Sequence, residues 1–249
     1  MIEDKKSDEF VNTLAENLAK FTNSFGNRPV VYRASDFKTN EYRNLKGGTH
    51  FEPVEPNPML GFRGAYRYIK DEAVFNLELE AIKIVRNKMG YKNLHLMVPF
   101  VRTVDELILV KRIIAAAGLS RSNSFKLWMM VEIPANVILL DEFINVGIDG
   151  VSIGSNDLTM LILGTDRDNE MVAPEFNEKN PAVLWALEHV VKTAAKHKIT
   201  CSLCGQAASQ YPDLVEKLVR WGITSVSVSP DAVDSTRRTI AFVEKRLLK

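Results

Sequence analysis

A small set of residues in this chain combines reactive chemistry with regular placement: Arg33, Arg63, Glu132, Asn156, Asp157, Arg167 and Cys204. Two of them lie in the stretch from Lys126 to Leu158, KLWMMVEIPANVILLDEFINVGIDGVSIGSNDL. Leu127 to Val131 is an unbroken apolar run of strand length, the pattern of a parallel strand covered on both faces. Glu132 ends that run. Apolar residues at helical spacing follow from Ala135 to Val146, with Gly147 as the stop. A second short strand, Gly150 to Gly154, then leads into Ser155, Asn156 and Asp157. The unit reads β-α-β, so its strands run parallel and their C-terminal ends lie together. A carboxylate at each of two such ends suits a hard cation such as Mg²⁺, and α/β barrels keep their chemistry at that end. Spacing alone also allows Glu132 to be a helix-start acid and Asp157 an N-cap.

The arginines widen the chemistry. Guanidinium grips carboxylates and phosphates bidentately, so two acids holding a cation among several arginines suit a small anionic substrate. A cation there polarises a carbonyl or stabilises an enolate oxygen. A thiol has an unperturbed pKa of about 8.5, close enough to neutrality to give or take a proton beside such an enolate. The set outlines enolate chemistry on a keto acid. Cys201 and Cys204 also form a C-x-x-C, but a zinc site needs a second such pair or nearby histidines, and none is present. His50, in Gly47-Gly48-Thr49-His50, reads as an exposed turn residue rather than a phosphohistidine.

The elements that must position these groups alternate. Ser7 caps a first helix striped by Phe10, Leu14, Leu18 and Phe21. Pro29 to Tyr32 is a strand ending in Arg33. Residues 38 to 67 read as a long loop without period, closing in Asn57-Pro58-Met59-Leu60-Gly61-Phe62-Arg63-Gly64, where glycines let the backbone approach a ligand. Asp71 to Met89 is an amphipathic helix stopped by Gly90. Leu94 to Pro99 is a strand, after which Arg102 reads as a solvated charge and Thr103 with Glu106 as a capping box. Beyond Asp157 a charged turn-rich stretch carries Arg167. Asn180-Pro181 opens a helix. Thr200 to Leu203 is a strand delivering Cys204-Gly205-Gln206, Leu214 to Trp221 marks a helix, Ser225 to Val228 a strand, and Ser229-Pro230 caps the last helix. Six strands result, two short of a closed (β/α)8 barrel. Either Leu60 to Arg63 supplies one, or the barrel lacks its first two strands.

Composition bounds the partners. At 249 residues and 46% hydrophobic the chain can bury one sizeable core. Its 32 basic and 31 acidic residues give a formal charge of +1, which argues against a nucleic-acid or anionic-membrane surface. The N-terminal stretch has no signal-peptide core and no segment is apolar over a membrane span, so a cytoplasmic protein with a small-molecule substrate is expected.

These motifs carry a resemblance. NPMLGFRG (57 to 64), VEIPAN (131 to 136), SIGSNDLT (152 to 159), TDRD (165 to 168) and LCGQ (203 to 206) resemble, in order, the C-terminal phosphoenolpyruvate/pyruvate-binding domain of phosphoenolpyruvate synthases (pyruvate, water dikinases), and more distantly pyruvate phosphate dikinases and enzyme I of the sugar phosphotransferase system. The resemblance implies an α/β chain of (β/α)8 TIM-barrel type, a single domain over 1–249 with an N-terminal helix over 1–27 and the barrel over 28–249. It implies Glu132 and Asp157 as Mg²⁺ ligands, Cys204 exchanging a proton with C3 of pyruvate enolate, and Arg33 and Arg63 binding phosphate and oxyanion. Gly154, Ser155 and Asn156 would contact substrate, and Arg167 matches an active-site arginine. The family's phosphoryl donor is a phosphohistidine charged by an ATP-grasp domain. Neither domain is legible here, so the resemblance implies donors on a missing segment or another chain, and a barrel open unless a partner or second copy, as in a homodimer, covers the gap. A Mg²⁺-dependent keto-acid lyase or aldolase, and a non-catalytic module that keeps the pocket, are the other readings the residues permit.

Overall fold

The structure, a computed structural model, describes residues 6–248. Met1–Lys5 and Lys249, which the expected 1–249 domain includes, lie outside the described residues. Contacts gather the chain into two compact units, Met1–Leu127 and Trp128–Lys249.

In the first unit, α1 (Ser7–Phe25) is followed by β1 (Val30–Arg33), α2 (Thr39–Arg43), α3 (Gly64–Lys70), α4 (Glu72–Lys83), β2 (Leu94–Val98) and α5 (Val104–Ala116). β1 pairs with β2 in parallel, Val30 opposite Leu94 and Arg33 opposite Met97. α1 buries Val11, Ala15, Leu18 and Thr22, so Leu18 lies on the buried face as expected while Phe10, Leu14 and Phe21 give way to the residues one position on, and Phe21 is 62% exposed. Thr22 is tolerated on the buried face because its hydroxyl donates to the Leu18 and Ala19 carbonyls.

The expected loop from 38 to 67 is a loop only in part, because α2, a 3₁₀ turn at Gly48–His50 and the start of α3 lie within it. Its order comes from polar ties rather than apolar period, which is why periodicity misses it. The Glu41 carboxylate accepts from the Lys38 backbone N–H, and Glu55 accepts from Thr39 Oγ1 and from the Phe62 N–H. Leu60 to Arg63 is turn, not strand, so it supplies no further barrel element. The helix expected over Asp71 to Met89 is α4 plus a π-helical turn at Ile84–Lys88. Thr103 Oγ1 accepts from the Glu106 N–H as expected of the cap, but Glu106 returns its carboxylate to the Arg102 N–H.

The second unit is built from β3 (Leu127–Val131), α6 (Pro134–Ile138), α7 (Leu140–Asn145), β4 (Gly150–Gly154), α8 (Ser155–Leu163), α9 (Pro181–Lys196), β5 (Thr200–Cys204), α10 (Ala207–Gln210), α11 (Pro212–Trp221), β6 (Ser225–Val226) and α12 (Val233–Leu247). The chain is thus α/β, with six strands among the described residues and parallel pairing within each unit. β4 is buried at every position, as a strand covered on both faces must be. The one helix expected from Ala135 to Val146 is broken at Leu139 (φ −105°, ψ 26°) into α6 and α7. β6 covers only the first half of the expected strand, and a 3₁₀ turn at Pro230–Ala232 separates Ser229 from α12. Asn180 caps α9 through its side chain to the Ala182 N–H, with Pro181 at the first helical position.

Register in this unit is pinned across a glycine. Trp128, Gly150 and Thr200 stand in one row of β3, β4 and β5. Trp128 Nε1 donates to Thr200 Oγ1 at 2.8 Å over Gly150, where a Cβ would lie 2.1 Å from that hydroxyl. A slipped register would place a side chain under the indole and lose the bond.

Candidate functional site

In the second unit the same register runs to the strand ends. Val131 pairs with Ile153, Ile153 with Leu203 and Gly154 with Cys204. Glu132, one residue past Val131, therefore stands level with Gly154 and Cys204 at the C-terminal ends of three adjacent strands. The backbone after β3 turns on Asn136, whose Oδ1 accepts from both the Glu132 and Ile133 N–H groups at 3.2 Å.

Gly154 is what lets Glu132 lie there. A Cβ on Gly154 would come within 2.6 Å of Glu132 Oε1 and 2.7 Å of its Cγ, so the carboxylate rests on the glycine, and Glu132 is only 4% exposed. Gly154→Ala should displace the Glu132 side chain. Overpacking of this kind is expected to cost about 1–3 kcal/mol of stability. Thermal unfolding checks it, and a parent melting temperature would refute it.

Asp157 is the third residue of α8, inside the first turn, with Gly154 at the N-cap position. The N-cap reading of Asp157 therefore fails, and Glu132 precedes α6 rather than belonging to it. Gly205 (φ +109°) closes the far side of this turn. A Cβ on it would lie 2.4 Å from Ser155 Oγ and 3.5 Å from Asn156 Oδ1, so Ser155 and Asn156 face the chain just after Cys204.

The two cysteines separate by environment. An odd spacing along β5 sends them to opposite faces, and neither is in a disulfide. Cys201 is buried, and burial pushes its thiol up to about 12, which leaves it inert at neutral pH. Cys204 is half-buried, with Sγ 3.4 Å from the Ile153 carbonyl.

Arg167 is partly exposed, its Nε 3.9 Å from Asp168 Oδ1. One residue that sequence reading missed belongs beside it. Glu178 is 3% exposed, and burial raises its carboxyl pKa while the charge of Arg167 pulls it back. Among the described residues Ser155 Oγ, Thr159 Oγ1 and Glu178 Oε1 are buried without a hydrogen-bond partner. Ser155 and Thr159 share one face of α8. Glu178 sits in a loop, where no periodicity could mark it as buried.

The donor set suits Mg²⁺ in kind: hard carboxylate oxygens, one of them buried over a glycine, at neighbouring strand ends. Mg²⁺ commonly takes one or two protein carboxylates and completes its shell with water and substrate oxygens. Among the described residues no group of three or more His, Cys, Asp or Glu side chains is placed to hold a metal.

In the first unit Arg33 ends β1 with its side chain exposed. Arg63 is only 5% exposed and occupies the N-cap position of α3. Its guanidinium forms a bidentate pair with Asp36, Nε to Oδ1 at 3.1 Å and Nη2 to Oδ2 at 2.7 Å, and lies 3.8 Å from the Phe100 ring centroid. Asp36 follows a turn held from α4, where Glu78 Oε2 accepts from Tyr32 Oη at 2.6 Å and from the Ser35 N–H at 3.0 Å. Burial raises the Glu78 carboxyl pKa against these two bonds. His50 is exposed at the end of its 3₁₀ turn.

The family model and the curated relatives agree on one family. The family model described as "PEP-utilising enzyme, PEP-binding domain" matches residues 1–245. A "Probable phosphoenolpyruvate synthase" of Staphylothermus marinus is 50% identical over 252 aligned residues, covering 100% of this chain and 30% of its own length. The "Phosphoenolpyruvate synthase" of Aeropyrum pernix is 50% identical over 253 aligned residues, covering 100% of this chain and 31% of its own. That of Helicobacter pylori is 44% identical over 243, covering 96% and 30%. The chain thus spans about 30% of the length of these curated relatives. Among the described residues no helix is long and apolar enough to cross a membrane.

Proposed function

Because the chain belongs to the PEP-utilising enzyme family through its PEP-binding domain, we propose that it binds phosphoenolpyruvate and pyruvate and carries the enolpyruvate half-reaction of a phosphoenolpyruvate synthase. The observation that carries this reading is the level row of Glu132, Gly154 and Cys204, which sets a buried carboxylate and a half-buried thiol at strand ends on either side of Gly154. Residues 1–245 matching one PEP-binding family support it.

Glu132 and Asp157 would hold Mg²⁺, which when bound supplies positive charge to the carbonyl and enolate oxygen of the substrate. Cys204 would take a proton from the pyruvate methyl group to make the enolate and return it to C3 in the reverse direction. The backbone and side chains of Gly154, Ser155 and Asn156 would hold the substrate at the first turn of α8, where peptide N–H groups favour an anion. Arg167, drawn to Glu178, would meet the substrate's negative charge. Arg33 and Arg63 would bind phosphate and oxyanion.

On this reading the phosphoryl group comes from a phosphohistidine, charged by an ATP-grasp domain, in parts of the enzyme outside the span of this chain. The complete fold is then of (β/α)8 barrel type. The second reading is a module that holds the pocket without turnover. Exchange of the pyruvate methyl protons with solvent separates the two. In deuterated buffer with Mg²⁺, the chain should deplete the methyl signal in proton NMR. Binding of pyruvate without any exchange would favour the module.

A further inference from the structure

Arg102, just beyond β2, is half-buried rather than solvated, and it spends its donors on backbone. Nη2 donates to the carbonyls of Gly61 at 2.5 Å and Leu60 at 3.3 Å, and Nη1 donates to the carbonyl of Arg63 at 3.2 Å. The carbonyl between them, Phe62, accepts from Arg67 through Nε at 3.1 Å and Nη2 at 2.8 Å. Arg67 in turn is held by the two oxygens of Glu52 at 2.6 and 2.8 Å. Four consecutive carbonyls, Leu60 to Arg63, are therefore occupied by two guanidinium groups.

The far side of the loop is equally constrained. Both arginine planes use one ring, with Arg63 Cζ 3.8 Å and Arg102 Cζ 4.9 Å from the Phe100 centroid. Phe100 holds φ at +45°, a conformation its side chain disfavours. Gly64 (φ +61°) packs against it so closely that a Cβ would lie 2.5 Å from Phe100 Cβ, and the Ala65 N–H donates to the Phe100 carbonyl at 3.3 Å. A surface arginine holding a loop by charge would not need three carbonyls. A planar fork with several fixed donors can take them together, which the point charge of a lysine cannot.

We propose that Arg102 is a positioning residue for anion recognition, gripping the Leu60–Arg63 backbone so that Arg63 is held ready for the phosphate of an enolpyruvate-type ligand. This rests on the substrate-binding role proposed for Arg63. It differs from that role in predicting a local, ligand-independent ordering of the loop.

The test uses the full chain with Arg102→Ala and Arg102→Lys, each checked for a parent-like melting transition. Amide hydrogen exchange at Leu60, Gly61 and Phe62 and the Kd for phosphoenolpyruvate are measured without and with Mg²⁺. In Arg102→Ala, exchange at those amides should accelerate, and the Kd should rise roughly tenfold or more, as misplacement of a binding group predicts. Arg102→Lys keeps the charge but not the fork and should move both readouts the same way. Parent-like exchange and affinity in Arg102→Ala, or full restoration of both by Arg102→Lys, would overturn the proposal. A parent chain that binds no phosphoenolpyruvate contradicts the function proposed above. The ordering role of Arg102 is then decided by exchange alone, with parent-like rates counting against it.

Discussion

Glu132→Ala and Asp157→Ala should each abolish the rise in melting temperature that Mg²⁺ with oxalate produces in the parent chain. Oxalate presents two oxygens as pyruvate enolate does, so it engages the cation and its ligands without turnover. At a ligand concentration about a hundred times Kd, linkage gives roughly 2.7 kcal/mol of stabilisation. For a chain of this length that corresponds to a rise of roughly 5–10 °C. Each variant is compared with itself, since each also changes the baseline. Asp157 in the first turn of α8 supports the helix by about 0.3–1 kcal/mol. Glu132→Ala removes a carboxylate that is 4% exposed. A ligand-induced rise that survives in both variants would remove the two carboxylates from the site.

The second large effect belongs to Cys204. Cys204→Ser should leave the oxalate-induced rise intact while slowing exchange of the pyruvate methyl protons by roughly 10²–10⁴-fold, the usual contribution of a positioned acid–base group. The substitution is close in shape, and a hydroxyl can keep the contact that Sγ makes with the Ile153 carbonyl. What it removes is the thiol itself. Cys201→Ala is the internal control. Cys201 is 2% exposed with its thiol pushed up to about 12, so its loss should affect stability and leave exchange unchanged. Unchanged exchange in Cys204→Ser would take the thiol out of the mechanism.

Much of the second unit was legible because its signals are local. The run Leu127 to Val131 and the segment Gly150 to Gly154 became strands with the same bounds, and Asn180-Pro181 opened α9 as its chemistry requires. Parallel direction then followed from the β-α-β order, and the observed register brings Glu132, Gly154 and Cys204 level. The failures lie where polar ties replace apolar period. Glu55, Arg67 and Arg102 order residues 38 to 67 through backbone groups that no hydropathy pattern reports, so the segment reads as loop. Glu78 is a buried acid on α4, which an amphipathic period does not announce, because Tyr32 and the Ser35 N–H satisfy it inside the fold. Leu139 divides a helix whose residues carry a continuous apolar pattern, and neither glycine nor proline marks the break. Glu178 and Arg102 share a cause: both are charged residues outside a helical or strand period, and only the three-dimensional partners reveal that they are buried or engaged. The α1 stripe missed by a single position, since Phe10, Leu14 and Phe21 offered a more apolar face than the Val11, Ala15 and Thr22 that the chain buries.

The reading as a phosphoenolpyruvate/pyruvate-binding chain is most directly tested by calorimetric titration of phosphoenolpyruvate into the purified chain. With Mg²⁺ present the account predicts saturable binding of one ligand per chain, lost when EDTA removes the cation and lost in Glu132→Ala. Absence of binding with Mg²⁺, or affinity indifferent to both EDTA and Glu132→Ala, would contradict it.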